Sequence, residues 1–210
     1  MPPIDFGFTA RERSIFRRLS SPQKIQCYLD GELGYDTGTN GSRCRSPRSV
    51  LREGIAQCVD GALFGAAALR MIGYPPLLLD LEAVRDDDHV LAIFQVQGRA
   101  RSHWGAIAKS NYAGLRFREP VYRTLRELVM SYFEHYYNPA GEKTLRRYSR
   151  PVNLSRFDFM HWMTTHEDVW AIPEYLSTIS HTPLLPDGVV RKLGRMDDRL
   201  QAAGLVGHVR

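Results

Sequence analysis

Long apolar runs, paired cysteines and blocks of like charge are what this 210-residue chain lacks. Its longest apolar stretch follows Cys58 and is broken by Arg70. That is short of the roughly 20 residues a bilayer-spanning helix needs, so no membrane partner is expected. The opening, MPPIDFGFTARERSIFRRL, has no apolar h-region and does not read as a secretory signal. Three cysteines, Cys27, Cys44 and Cys58, are odd in number and show no CxxC spacing. This argues against a disulfide framework and for a reducing compartment, with the cytoplasm as the expected location. The net charge of +5 comes from arginines spread along the chain. Without a concentrated basic face, nucleic acid is not expected as a partner.

What is present is an apolar helix with a cysteine at its mouth. In EGIAQCVDGALFGAAALRMIGYPP, residues 53–76, only Asp60 and Arg70 are charged after Cys58. A helix apolar nearly all round is a buried one. Small residues let neighbours approach its axis, Gly73 stops it, and Pro75-Pro76 forbid continuation. Cys58 is therefore expected in the first turn of a central helix.

Around it, residues 10–19 read as a short basic helix. Ser21-Pro22 and Ser46-Pro47 each read as an N-cap followed by proline at the first helical position. Residues 34–44, GYDTGTNGSRC, read as a loop. Three strands follow at 76–84, 89–96 and 104–110, joined by the turns RDDD and GRARSH. Such a meander packs well on a buried helix. Thr124 and Glu127 mark a capping box opening the next helix. From Asn138 the text is loop-like, with helix candidates at 155–166 and 187–202. The expected fold is α+β: a core over residues 1–137, with a mainly helical extension, 138–210, wrapped on it.

A thiol at a helix N-terminus meets free N–H groups and the positive end of the helix dipole, which favour a thiolate and can hold an oxyanion. A base is needed too, and His89 opens a strand 31 residues later. The end of the third strand supplies Ser110 and Asn111. This order of Cys, His and polar residue resembles the transglutaminase-like superfamily. SPRSVLREGIAQCVDGALFGAAALRMIGYPPLLLDL is similar to its cysteine helix and the strand after it, DDDHVLAIF to its histidine strand, and HWGAIAKSN to its third strand. The likeness covers roughly residues 20–115. A group of bacterial transglutaminase-like proteins resembles the chain further, through SNYAGLRFREPVYRTLRELVMSYF.

The resemblance implies a papain-like fold and thiol acyl transfer on a peptide or protein amide. Cys58 would be the nucleophile and His89 the general base. The family's third residue is usually Asp, but no acid follows Trp104 until Glu119. Asn111 is the choice for orienting His89, with Ser110 second. Gln57 is a candidate side-chain donor to the oxyanion. No cofactor is expected. The rival reading is a catalytically inactive module of the same fold that binds a peptide or protein partner. Ala56 and Val59, where the family often has Gly and an aromatic, keep that rival open.

Other features read more plainly. Asp86-Asp87-Asp88 reads as a solvated turn rather than a metal site, and no metal is expected from Cys58, His89 and His103, which lack close-spaced ligand pairs. Arg43 and Arg45 would lower the Cys44 thiol pKa and make it a rival in labelling. His135, His161, His166 and His181 are expected in local hydrogen bonds, and Trp104, Trp162 and Trp170 in packing. The sequence leaves the oligomeric state open.

Overall fold

Local capping chemistry decides where the first helices start. In the computed structural model, which describes residues 6–38, 41–98 and 101–209, α1 (Ala10–Arg18) opens on a capping box between Thr9 and Glu12. Two serine hydroxyls accept the next free amides, that of Ser21 at α2 (Pro22–Gly31) and that of Ser46 at α3 (Pro47–Glu53). Each satisfies one of the N–H groups a helix start leaves unpaired. Between α2 and α3 lies β1 (Gly34–Tyr35), which pairs in parallel with β2 (Ile55–Ala56) after α3. So the expected loop at 34–44 begins with a short strand; residues 39–40 within it lie outside the described residues, as do residues 1–5 of the opening stretch and residues 99–100 of the GRARSH turn.

α4 (Cys58–Met71) is buried from Val59 to Leu69. It stops where expected: Gly73 takes φ of 95°, a left-handed conformation glycine reaches without penalty. Then come β3 (Leu77–Ala83), β4 (His89–Gln97), β5 (Ser102–Ile107) and β6 (Arg118–Tyr122). The first three form the antiparallel meander read from the sequence, and β6 extends it. α5 (Leu125–Phe133) is capped by the Thr124 hydroxyl, while Glu127 reaches back to the Arg123 amide.

The region after residue 137 differs from expectation. It holds β7 (Leu145–Ser149), β8 (Val152–Asn153), α6 (Ala171–Thr178), β9 (His181–Pro183), α7 (Asp187–Val190) and α8 (Asp198–Gly204), with a 3-10 helix over Leu154–Met160. Beside the expected helical elements it therefore holds three strands that were not expected. β7 and β8 both pair with β3, and β9 pairs with β7. Among the described residues, seven strands form one antiparallel sheet in the order β6-β5-β4-β3-β7-β9, with β8 beside β3.

Strand alternation sorts the core into two layers. Leu78, Ala92 and Phe94 face α4, while Leu79, Leu81, Leu91 and Ile93 face α5. No helix among the described residues is long and apolar enough to cross a membrane.

Candidate functional site

The first turn of α4 is held from three sides. Asp60, fully buried, accepts a bond from the Gln57 amide at 3.3 Å. It also accepts from the Arg45 amide at 2.7 Å and from its guanidinium at 3.0 Å. Arg45, itself buried, also meets Asp36 at 2.7 Å and Glu53 at 2.6 Å. Three carboxylates on one guanidinium tie β1, α3 and α4 together. On another side Gly61 meets Lys109: a Cβ there would lie under 3.0 Å from the Lys109 Cβ. So the chain leaving β5 meets α4 at Lys109, one turn from Cys58 along the helix.

Cys58 is the first residue of α4, as expected, and is partly exposed. Its Sγ lies 4.0 Å from the Asp88 carbonyl. Burial pushes the thiol up to about 11. The Val59 and Val90 amides donate toward the sulfur and pull the other way, while Asp60 and Asp87 add to the rise. The starts of α4 and β4 each supply one donor, but desolvation of the charged form outweighs them.

The sulfur thus sits against the backbone on either side of His89, yet the imidazole leaves on the other face. His89 pairs with Leu81, so its side chain joins the α5 layer. Its Nε2 is 2.9 Å from the Leu115 carbonyl, and its ring meets Tyr136 edge-on at 6.5 Å between centroids. A carbonyl only accepts, so Nε2 carries the proton. Burial pushes His89 down to about 4, and the ring is neutral at pH 7.

That shift has a thermodynamic consequence. The folded His89 pKa lies below the ordinary 6.5, so the unfolded chain binds more protons between the two values. Stability is fully present above about pH 6.5 and is lost as pH falls toward 4, by at most about 3 kcal/mol. Urea titrations between pH 4.5 and 7.5 should show a steep slope in the wild type and a flatter one in His89→Gln. Equal slopes would contradict the burial of a neutral ring.

The remaining expected site residues are engaged away from His89. Asn111 Nδ2 donates to the Val209 carbonyl and its Oδ1 accepts from the Val209 amide, both at 2.8 Å. Ser110 Oγ accepts from the Tyr112 amide at 3.0 Å. Gln57 Nε2 donates to the Arg43 carbonyl, so in this conformation its amide is not free to hold an oxyanion. The structure therefore sets Lys109 against α4 at Gly61 but does not join Cys58, His89 and Asn111 by hydrogen bonds.

The expectation for Cys44 is corrected. It is fully buried, and burial raises its thiol pKa well above the ordinary range. Arg43 is committed to Asp168 at 2.8 Å and Arg45 to its three acids. Cys27, which is exposed, is the cysteine that competes in labelling. In the acidic turn, Asp86 accepts from the Thr144 hydroxyl at 2.6 Å and Asp88 from the Ala83 amide at 2.8 Å.

One pair escaped the sequence reading. Asp80, on the α4 side of β3, meets His181 Nε2 at 2.8 Å, while His181 Nδ1 lies 2.9 Å from the Ile179 carbonyl. His181 makes the expected local bond, to Ile179, and in addition ties β9 to β3 through Asp80. The available signal was the lone acid in LLLDL, because an acid on a buried strand face needs a partner.

Tyr35 lies within electrostatic reach of Cys58, Asp87 and Tyr112, and burial leads these in raising its phenol pKa. Tyr35, Cys58 and Tyr112 are each partly exposed. No protein-family model matches the chain, and no curated protein matches it.

Proposed function

We propose that this chain is a peptide- or protein-binding module on a transglutaminase-like scaffold, with its ligand held around Tyr35, Cys58 and Tyr112. One observation carries the reading: the His89 ring is bonded to Leu115 on the sheet face away from α4. A thiol raised to about 11 beside a base that faces elsewhere is poorly prepared for attack on an amide. The peptide class follows from Asn111, whose amide grips a chain segment by its backbone.

Thiol acyl transfer is the second reading, favoured by the Val59 and Val90 amides that donate toward the Cys58 sulfur. In that reading the thiolate attacks an amide carbonyl, an amine leaves, and water or another amine resolves the thioester. The test sets the two against each other. A library of extended peptides is passed over the immobilised chain and its Cys58→Ser variant, and a peptide vinyl sulfone is offered in parallel. Retained binding in Cys58→Ser without a vinyl sulfone adduct at Cys58 supports the binding module. Loss of binding together with a Cys58 adduct that depends on His89 overturns it.

A further inference from the structure

We propose that Asn111 and Tyr112 form a subsite that reads peptide backbone, and that residues 205–209 of the same chain fill it as a displaceable internal ligand. The inference rests on the binding reading above and names its ligand class and its regulation.

The Asn111 carboxamide both donates to and accepts from a single residue, Val209. A side-chain amide used this way mimics a strand partner: it recognises an extended backbone and leaves the side chain unread. The preceding residue lies on an aromatic platform, with the His208 ring 5.1 Å from that of Tyr112. The tail is delivered there by α8, whose Gln201 carbonyl accepts from the Tyr137 hydroxyl at 3.0 Å. Gly204 packs on the same hydroxyl, closely enough that any Cβ would collide with it.

A tail docked for stability alone would bury its apolar side chains. This one does not: Leu205, Val206 and Val209 remain 41%, 70% and 47% exposed. What holds it is the backbone grip and one ring contact, which an incoming strand can replace in kind. The tether raises the tail's effective concentration to roughly the millimolar range, so a free peptide must be abundant or better fitted to compete. Lys109, two residues before Asn111, abuts Gly61 in α4, the helix that Cys58 opens. Residues 205–207 form a turn before the gripped residue, so the matching ligand is a peptide with an imidazole or aromatic ring one residue before the gripped position.

The test uses the full chain in the Cys58→Ser background, with a fluorescein-labelled peptide of residues 205–210, LVGHVR, read by anisotropy. Val209→Pro removes the N–H that donates to Asn111 Oδ1, leaves only the bond from Nδ2 to the residue 209 carbonyl, and so weakens the internal occupant. The peptide should bind this chain at least tenfold more tightly than the parent. Adding Asn111→Ala should return affinity to the parent level or below, and Asn111→Asp, which keeps an acceptor and loses the donor, should fall between. Equal affinity for all these chains overturns the proposal. So does failure of the peptide to bind a Val209→Pro chain whose melting temperature is unchanged. With the thiol absent, the titration reports occupancy alone. Should Cys58 prove to be an acyl-transfer nucleophile, the binding reading fails while this measurement still decides the subsite.

Discussion

Arg45→Met is expected to destabilise the fold by about 3–5 kcal/mol, the range for removing one partner of a buried ion cluster. The guanidinium is the common partner of Asp36, Glu53 and Asp60. Without it Asp60, which has no solvent exposure, keeps only backbone donors. Burial already holds Asp60 up at about 6, so losing the cation drives it further toward the neutral acid. The Gln57 amide would then face a weaker acceptor, and the turn bearing Cys58 would loosen. Urea unfolding should show a lower midpoint with an unchanged slope. Pairing Arg45→Met with Asp60→Leu should cost less than Arg45→Met alone, because the stranded charge goes with its partner. A loss under 1 kcal/mol for the single change would mean that the cluster does not hold α4.

Gly61→Ala is the second large effect, and its sign comes from two opposed terms. Alanine in a helix interior is worth about 1 kcal/mol over glycine. At residue 61 the added methyl meets the Lys109 Cβ, which is fixed to the backbone and cannot rotate away. Lys109 is further tied by its ammonium to the Leu29 and Leu33 carbonyls at 2.5 and 2.6 Å. Overpacking typically costs about 1–3 kcal/mol and more where the neighbour is fixed. We expect a net loss of about 2 kcal/mol or more in thermal unfolding. Gly31→Ala is the control: nothing lies within 4 Å of a Cβ there, so it should be neutral or slightly stabilising. Equal effects at the two positions would contradict the close approach of α4 to Lys109.

Much of the fold was legible because its signals are local. Ser21, Ser46 and Thr124 cap helices as their spacing predicts, and Gly73 with Pro75-Pro76 ends α4. β3, β4 and β5 are joined by short turns, so neighbours in sequence pair in space. β7, β8 and β9 were missed because TLRRYSRPVN and SHTP carry little apolar alternation, and their partners are remote. Leu81 finds Tyr148, and Ser149 finds His181.

The site was legible in position and illegible in phase. Cys58 heads the buried helix and His89 heads β4, as the motifs place them. Which face of a strand a side chain takes turns on one residue of register. Val90, not His89, faces α4, and no feature of DDDHVLAIF reports that choice. Lys109, two residues before Asn111, came against α4 at Gly61. The partner of Asn111, Val209, lies 98 residues away, beyond the reach of local pattern.

The central claim is that the Cys58 thiol is desolvated and not paired with the His89 imidazole, and its alkylation by iodoacetamide against pH tests it most directly. With Cys27 replaced by serine, the native protein should react at Cys58 slowly at neutral pH. The rate should climb toward a midpoint near 11, and His89→Ala should leave the curve in place. A rate that plateaus below pH 8, with a step abolished by His89→Ala, would show a thiolate paired with that imidazole and contradict the account.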